Sequence, residues 1–488
     1  MDQNKLRLME IVGSEGVQEH PDLGESFSLD QKLITHSFPS LLVKPGNVDE
    51  VQKIVLWANE TKTPLVPVSS GGPHFHGDTL PTAPGAVMVD LSGMKRVLKI
   101  NRRNRLALIE PGVTYSQLLP ALRTEKLRIA MPLLPRANKS VLTSLLEREP
   151  VMSPKYQWNF LDPLRSLEIV WGNGEKFYSG MAGFRGEKDE DWEAGLVPVQ
   201  GPGPGQLDFY KFMSAAQGSM GIATWASIKC EAYPDLHKLF LIPGKELDDL
   251  IELTYKLVKF RFGDELFIVN RACLAYMRGG EGKEIESLKA LLPEWTIVVG
   301  ICGGQILPEE RVAAQENDIH DLAVKSGLTV APAVEGCTGR DLLELIQNPS
   351  TEPYWKLRFK GGSQEIFFLT TLDKSPGFIT EMKSTANEHQ YPIQDIGVYL
   401  QPVHQGVGCH CEFILPFDRQ NEAEVNQVES LFRDASQRSF KRQAYFSRPY
   451  GIWADMVYTA DTMTRQVTQK MKEIFDPNHV MNPGKLCF

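Results

Sequence analysis

Apolar residues follow two different spacings along this chain. In some stretches they recur every three or four positions, which predicts amphipathic helices, and in others they form short runs, which predict buried strands. Near the start, these patterns predict a helix over 48–60 and strands over 63–68 and 86–91. The residues between the two strands, PVSSGGPHFHGD (Pro67–Asp78), follow neither pattern and predict a loop.

The second half of the chain alternates predicted helices with predicted strands. The helices cover 244–260, 309–327 and 421–437. The strands cover 295–301, 365–371, 396–400 and 411–417. Helices that alternate with separated strands favour an antiparallel sheet covered by helices. One more helix is predicted over 459–475, where Asp476 and Pro477 end it.

These elements predict an α+β fold in four regions. A helical lead-in (1–36) precedes a domain of short strands and helices (37–235), a cap domain with the antiparallel sheet (236–440) and a final segment (441–488). The stretch 183–206 is rich in glycine, proline and acidic residues. It predicts an exposed insertion or lid, because GPGPG continues neither a helix nor a strand.

Composition and charge narrow the class of protein. A chain of 488 residues is too long for one hydrophobic core, so two or more domains are expected. Its 52 basic and 61 acidic side chains give a net charge of −9, which argues against nucleic acid and anionic membranes as partners. No run approaches about 20 apolar residues and no secretory signal pattern is seen, so we expect no membrane span and a cytoplasmic location.

The seven cysteines are scattered and odd in number, with no CxxC pair. A disulfide framework and an iron–sulfur cluster held by this chain are therefore not expected. His404, Cys409, His410 and Cys411 lie together in HQGVGCHC, a set of side chains that could bind zinc. Because consecutive residues of a strand point to opposite faces, we expect no metal site there.

The glycine pair Gly71-Gly72 lies at the tip of the first predicted loop. Without a Cβ, such residues let the backbone approach a ligand closely, and successive amide groups of a turn can bind a phosphate. An isolated Gly-Gly pair is more often an ordinary turn, so this signal alone is weak. It gains weight from the motifs that follow it.

Three later motifs and the C-terminal sequence occur in a characteristic order. They are PGVTY (111–115), LRSLEIVWGNGEKFYSG (164–180), GSMGI (218–222) and FDPNHVMNPGKLCF (475–488). The series resembles the flavoprotein family of vanillyl-alcohol oxidase and p-cresol methylhydroxylase (PCMH), which binds FAD without a Rossmann fingerprint. Residues 8–18 also resemble its 2-hydroxy-acid dehydrogenase branch. The resemblance implies a PCMH-type FAD-binding domain of two subdomains over 37–235, to which the final segment returns.

The resemblance also implies which residues contact FAD. They are Ser70, Gly71, Gly72, His74, Phe75, His76, Pro111, Gly112, Val113, Gly218, Met220, Gly221, Ile222, Asn482 and Lys485. In relatives with a covalent flavin a histidine directly follows the glycine pair. Here Pro73 takes that place, so we expect non-covalent FAD.

One segment departs from the family pattern. Relatives carry a glycine-rich stretch beside the flavin ring, whereas residues 133–150 of this chain contain no glycine. Side chains such as Arg136, Asn138 and Lys139 are then expected in that space, where a cation would stabilise the reduced flavin. A degenerate ring site in a non-catalytic subunit is the alternative.

The family analogy implies four catalytic residues. In relatives, the segment that corresponds to the one containing His404 and His410 lines the substrate site. Tyr115 and Arg448 match positions that bind a phenolate in the phenol-oxidising branch. An arginine would bind a carboxylate equally well. The carboxylate that assists hydride removal in the phenol-oxidising branch corresponds to Asn159 here. Asn159 cannot be a base, and Asp162 is a possible substitute.

We therefore expect an FAD-dependent oxidoreductase that oxidises a CH–OH or benzylic C–H group, in a phenolic compound, by hydride transfer to flavin N5. The alternatives are a 2-hydroxy-acid dehydrogenase of the same superfamily and a flavin-poor subunit of an oxidoreductase complex. The expected partners are a small-molecule substrate and an electron-acceptor protein or second subunit. A homo- or hetero-oligomer is expected.

Overall fold

The structure, a computed structural model, describes residues 3–19, 39–183 and 208–488. Apart from Gly183, the predicted insertion or lid lies outside the described residues, as does all of the predicted lead-in beyond residue 19.

Among the described residues before 235, five α-helices accompany two larger sheets and one two-stranded sheet. The helices are α1 (Gln3–Val12), α2 (Val48–Thr61), α3 (Tyr115–Thr124), α4 (Val141–Leu146) and α5 (Tyr210–Met213). The strands are β1 (Val17–Gln18), β2 (Leu41–Val43), β3 (Leu65–Val68), β4 (Val87–Asp90), β5 (Val97–Asn101), β6 (Leu106–Ile109), β7 (Leu127–Arg128), β8 (Leu164–Trp171), β9 (Lys176–Tyr178), β10 (Gly221–Lys229) and β11 (Glu231–Ala232).

The first sheet has the strand order β1-β2-β4-β3, in which β2 and β3 both run parallel to β4. Helix α2 supplies the crossover and begins at Asn47, whose side chain accepts a hydrogen bond from the Glu50 amide at 3.0 Å. Its buried face, which includes Val51, Ile54 and Val55, packs on this sheet. The second sheet is antiparallel, with the order β5-β6-β10-β8-β9, and β7 pairs separately with β11.

The cap region begins with β12 and contains one large sheet. Its helices are α6 (Leu247–Lys259), α7 (Arg271–Arg278), α8 (Gly282–Leu291), α9 (Pro308–Lys325), α10 (Gly339–Ile346), α11 (Ser375–Glu388) and α12 (Glu422–Lys441). Its strands are β12 (Leu236–Gly244), β13 (Glu265–Asn270), β14 (Trp295–Gly303), β15 (Ala333–Val334), β16 (Cys337–Thr338), β17 (Gly361–Thr370), β18 (Gly397–Val403) and β19 (Gly408–Asp418).

Six of these strands form an antiparallel sheet in the order β12-β14-β13-β18-β19-β17. Helices α6, α9, α11 and α12 bury apolar residues on one face of it. On the other face, Leu239 and Tyr399 share a core cluster with Leu167 and Ile228 of the preceding region. The predicted α+β fold with an antiparallel cap sheet covered by helices is confirmed, and the cap packs directly on the second sheet.

The final segment contains two helices, α13 (Ile452–Ala460) and α14 (Thr462–Phe475). The prediction of one helix over 459–475 was wrong at its start. Asp461 interrupts the helix, because its side chain caps the next one by accepting a hydrogen bond from the Thr464 amide at 2.9 Å. Beyond α14 the chain returns to the first sheet, where Met481 forms a parallel bridge with Leu65.

No helix within the described ranges combines the length and the apolar character that crossing a lipid bilayer requires. All seven cysteines lie within those ranges and none forms a disulfide.

Candidate functional site

The loop after β3 presents free backbone amides. We call residues 69–78 the glycine loop. Within the described residues, the amide groups of Gly71, Gly72, Phe75 and His76 donate to no protein acceptor. Unpaired amides on one short loop form the type of concave donor set that binds a diphosphate, so the loop fits the cofactor that the resemblance implies.

A first cavity opens beside the glycine loop, with an empty volume of about 810 Å³ that includes its mouth. The loop, α4 and the start of β10 surround it. Six of the residues expected to contact the cofactor line this first cavity. They are Ser70, His74, Pro111, Gly218, Gly221 and Ile222.

A second cavity shares part of its lining with the first and lies between the glycine loop and the cap, with an empty volume of about 560 Å³ that includes its mouth. Ser70, His74, Asp78, Thr143 and Glu147 line both cavities. Most side chains of the second cavity are polar or charged. Besides the shared residues they are Phe75, His76, Pro135, Arg136, Lys139, Glu149, Tyr354, Lys356 and Glu365.

The glycines that are expected to contact the cofactor fall into two groups, according to whether the protein leaves room for a side chain at each position. A Cβ on Gly71 would meet only the Asn138 side chain, at 3.9 Å, so nothing in the protein excludes a side chain there. A Cβ on Gly112 would lie 2.7 Å from three backbone carbonyls of residues 91–94, and one on Gly221 would lie 2.6 Å from the Val170 carbonyl. Gly112 and Gly221 are therefore required by the fold, whereas Gly71 leaves open space.

Residues from the final segment hold the glycine loop. The Asn482 side-chain amide donates to the Asp78 carbonyl at 2.9 Å, and Lys485 Nζ donates to the Gly77 carbonyl at 2.8 Å. Burial lowers the pKa of Lys485 to about 8 despite the nearby charge of Asp78. Asn482 and Lys485 thus contact the loop backbone, and Met220 and Val113 lie in the core behind it.

The glycine-free stretch, residues 133–150, closes against the loop, and we call it the ring-side segment. Arg136 Nη1 donates to the Gly71 carbonyl at 3.2 Å and Asn138 donates to the Gly72 carbonyl at 3.4 Å. Lys139 binds the carboxylates of Glu147 and Glu149 at 2.6 and 2.7 Å. The expectation of a free cation is thus met only by Arg136, because the charge of Lys139 is compensated.

The two glutamates of the ring-side segment respond differently to burial. Burial and the charges of Asp78 and Glu149 raise the pKa of Glu147, although Lys139 opposes the shift. Glu149 is as deeply buried, but Lys139 and the Ser144 hydroxyl outweigh burial and lower its pKa to about 2. One buried acid beside the first cavity is thus inclined to be neutral and its neighbour is firmly ionised.

His410 belongs to a series of contacting ionisable side chains that connects the cap to the glycine loop. Its Nε2 lies 2.9 Å from Glu412 Oε2, and Glu412 Oε1 accepts from Lys356 Nζ at 2.5 Å. Lys356 also binds Glu365 at 2.8 Å, and Glu365 Oε2 lies 3.7 Å from His76 Nε2. Two histidine–carboxylate pairs therefore share one buried lysine.

Strand register explains this arrangement. On β19, Cys409 and Cys411 point into the helix-covered core, which leaves His410 and Glu412 on the opposite face. The expectation that these consecutive residues diverge is met. Burial lowers the pKa of His410 in spite of its hydrogen bond with Glu412, so the neutral imidazole is favoured.

Arg448 lies on the same side of the cap sheet. Its guanidinium carbon is 3.9 Å from the centroid of the Phe367 ring, and the His410 ring centroid is 6.1 Å from that same ring. The side chain is 6% exposed and, among the described residues, it pairs with no carboxylate. A buried arginine without a counter-ion favours an anionic ligand.

Tyr115 and His404 lie apart from that pair. Tyr115 is fully buried in α3 and donates to the Ser144 hydroxyl at 2.9 Å. His404 lies in the turn between β18 and β19, where its ring packs on Phe160 with the centroids 3.6 Å apart. Neither residue borders the two cavities near the glycine loop.

The suggested replacement for the missing carboxylate has a structural role. Asp162 accepts hydrogen bonds from the Trp158 and Asn159 amides at 2.7 and 2.9 Å. Asn159 in turn accepts one from the Leu161 amide at 2.7 Å. Both side chains stabilise a turn and do not reach the cavities.

Sequence reasoning missed Glu365, Glu412, Lys356 and Tyr450. The first two had a signal, since each is an acidic residue inside an apolar strand pattern, EIFFLTT or CEFILPF. Such a residue is rarely buried unless it is paired. No comparable signal marks Tyr450, which lines the first cavity from a loop of the final segment.

One set of potential metal ligands occurs in the described part of the chain, remote from HQGVGCHC. His237, Glu265 and Cys302 lie on three neighbouring cap strands. His237 Nε2 binds Glu265 at 2.7 Å and its Nδ1 accepts from Gln347 at 2.8 Å. Because both ring nitrogens are engaged within the protein, this set carries no metal assignment.

The fold, the glycine loop and the comparison with known families agree on the class of protein. Residues 39–175 match the family model described as FAD binding domain. The chain is therefore an FAD-dependent oxidoreductase. Its FAD-binding domain is of the p-cresol methylhydroxylase type, as its sequence motifs predicted.

Two curated relatives and one solved structure are similar to almost the whole chain. The flavoprotein subunit of 4-cresol dehydrogenase [hydroxylating] from Pseudomonas putida is 21% identical over 92% of this chain and 87% of its own length. D-2-hydroxyglutarate dehydrogenase from Stutzerimonas stutzeri (strain A1501) is 22% identical over 92% and 91%. The solved structure of 4-ethylphenol oxidase from Gulosibacter chungangensis, an isoeugenol complex, has a TM-score of 0.82 at 20% identity and covers 99% of this chain and 96% of that one.

Proposed function

We propose that this chain oxidises a small organic substrate at a CH–OH group or a benzylic C–H bond, with a phenolic compound as the substrate. The observation that carries the proposal is the second cavity, where titratable and aromatic side chains surround space next to the glycine loop. FAD, when bound, supplies the acceptor for a hydride at its N5 atom.

The glycine loop would hold the cofactor's diphosphate through the amides of Gly71, Gly72, Phe75 and His76. The backbone around Pro111, Gly218 and Gly221 borders the same cavity and is fixed by close packing. Pro73 occupies the position next to the glycine pair, which supports non-covalent attachment. These features support a division in which the backbone binds the cofactor and the side chains of the second cavity contact the substrate.

Aromatic rings on the second cavity suit an aromatic substrate. The Phe75 and Tyr354 ring centroids lie 5.7 Å apart with an interplanar angle of 39°. Both rings line the cavity, and each offers a face or an edge to a third ring. The likeness to 4-ethylphenol oxidase and to the 4-cresol dehydrogenase subunit supports the same substrate class.

Substrate charge and proton would be handled by groups near His410. Arg448 is a buried cation without a carboxylate partner among the described residues, so a phenolate or carboxylate oxygen can pair with it. Oxidation of a CH–OH group also requires a base for the hydroxyl proton, and the histidine–carboxylate pairs around Lys356 supply candidates. Tyr115 is buried against Ser144, so in this proposal it supports the ring-side segment.

A 2-hydroxy acid is the second candidate substrate. The observation that favours it is Arg136, which lines the second cavity, is 5% exposed and has no carboxylate partner in the part of the chain that the structure describes. A planar guanidinium there would bind a substrate carboxylate through two parallel hydrogen bonds. The D-2-hydroxyglutarate dehydrogenase relative supports this candidate.

The electrons leave by one of two routes, directly to O₂ or to an acceptor protein. The relative from Pseudomonas putida is named as a flavoprotein subunit, which supports a second subunit as the acceptor. Reoxidation of the reduced protein in air, compared with reoxidation under argon by an artificial acceptor, separates the two routes.

Spectroscopy of the purified protein tests the proposal. A yellow protein whose chromophore is released by acid precipitation is expected. Anaerobic mixing with 4-alkylphenols and phenolic alcohols should then bleach the flavin, and parallel mixing with 2-hydroxy acids tests the second candidate. A colourless protein would support the flavin-poor alternative, and a flavin that only dithionite bleaches would contradict both substrate proposals.

A further inference from the structure

His76 lies where two cavities meet. A third cavity, of about 480 Å³, runs from the second cavity past Phe432 to Arg433 and Gly451. His76 and Glu365 line both the second and the third cavity. In contrast, His410 lines none of these three cavities and lies beyond Phe367.

The His76 ring is held firmly by its neighbours. It stacks on Tyr450 with the centroids 4.6 Å apart and the planes 18° apart, and it meets the edge of Phe367 at 5.4 Å. Its Nε2 forms no hydrogen bond with a described residue and lies 3.7 Å from Glu365 Oε2, which is an ion-pair distance once the imidazole is protonated. Its Nδ1 forms no hydrogen bond with any described residue.

Glu365 is suited to orient this histidine. It lies on β17, and Lys356 fixes its other oxygen at 2.8 Å. Lys356 is itself anchored on Glu412. A histidine with one nitrogen facing a fixed carboxylate and the other free is the arrangement by which proteins hold a general base.

We propose that His76 is the residue that removes the substrate's proton, and that Glu365 is the residue that positions it. This inference rests on the proposed function and names the base of that reaction. The substrate O–H bond breaks and its proton goes to Nδ1 of His76, while the electron pair of that bond becomes the second bond of C=O. The hydrogen of the C–H bond would leave with both bonding electrons as a hydride, for which oxidised FAD, when bound, would supply the acceptor.

The charges around His76 come from several elements. Three carboxylates face it: Glu365 from β17, Asp78 from the glycine loop and Glu147 from the ring-side segment. The Tyr450 ring of the final segment stacks on it as well. Burial disfavours the imidazolium, but the carboxylates outweigh burial and raise the pKa of His76. Since only neutral imidazole accepts a proton, the rate of flavin reduction should rise with pH as His76 loses its proton. We call this rising part of the pH profile the limb.

Stopped-flow reduction of the flavin, measured against pH with the best substrate from the screen, tests the role of His76. His76→Gln should slow reduction by about 10²- to 10⁴-fold and abolish the limb. Glu365→Gln should move the limb to lower pH, because the carboxylate that favours the imidazolium is gone. The matched control is His389→Gln, since His389 also contacts a carboxylate, Asp434 at 3.1 Å, but lines none of the three cavities.

A reduction rate and limb unchanged in His76→Gln would overturn the proposal, as would an unmoved limb in Glu365→Gln. If His76→Gln lost its flavin, the Glu365→Gln profile would decide alone. Imidazole titration by NMR, with the signal assigned through His76→Gln, measures the effect of Glu365 without turnover. If no substrate reduced the wild-type flavin, the proposed function would fail, and the titration would still show whether Glu365 controls His76.

Discussion

The pair formed by Lys472 and Asp476 gives the sharpest stability prediction. Both side chains are fully buried, and Lys472 Nζ lies 2.6 Å from Asp476 Oδ2. Lys472 also donates to the carbonyls of Ser219 and Met481. It therefore connects α14 to the loop before β10 and to the part of the final segment that returns to the first sheet at Met481.

Replacing Lys472 by methionine preserves the length of the side chain and removes its charge. Breaking a buried ion pair on one side costs about 3–5 kcal/mol, because the remaining charge stays buried. Asp476 keeps hydrogen bonds from two amides, Val480 at 3.0 Å and Met481 at 2.8 Å, so the middle of that range, about 4 kcal/mol, is expected. For a domain of this kind, that loss lowers the Tm by about 10 °C.

Thermal unfolding followed by circular dichroism measures this effect, with and without added FAD. The double variant Lys472→Met with Asp476→Asn is the control, because it removes both charges and should recover most of the lost stability. Excess FAD should raise the Tm of the single variant by mass action. A single variant as stable as wild type, or a double variant less stable than the single one, would refute the reasoning.

Four further outcomes are expected. Gly71→Ala should keep the wild-type Tm but weaken FAD binding about tenfold. Gly112→Ala should instead lower the Tm, because its methyl group would lie 2.7 Å from three backbone carbonyls. Fluorescence titration with FAD and thermal unfolding distinguish the two variants. Lys485→Met should weaken FAD binding, and wild-type affinity should fall as the pH rises through about 8, where Lys485 loses its charge; equal affinity at pH 7 and 9 would contradict this. Arg448→Lys should raise the KM for an anionic substrate more than it lowers kcat, because the compact ammonium cannot reproduce the planar donor pair; steady-state kinetics decides this. A neutral methyl ether of the same substrate should lose this dependence on Arg448.

Much of the fold was predictable because its signals are local. The helix over 48–60 and the strand over 295–301 follow from spacing alone, and both differ from the observed elements by at most two residues at either end. The break at Asp461 was not predicted, because apolar residues continue with helical spacing across it. There a side-chain cap decides the boundary, and periodicity does not report caps.

The candidate site was less predictable because it depends on contacts between distant segments. The glycine loop was found from its composition, yet Gly112 proved to be a packing requirement and Tyr115 a buried partner of Ser144. Glu365 and Glu412 became meaningful only when strand register placed them around Lys356. A single sequence contains the charged residues but not their pairing.

Asn482 and Lys485 clasp a loop that precedes them by 404 and 408 positions in the chain. During synthesis on the ribosome, the glycine loop emerges long before the residues that brace it. A nascent chain that has not yet reached them lacks both hydrogen bonds, so we expect the glycine loop to take its final geometry only after this last segment has been translated.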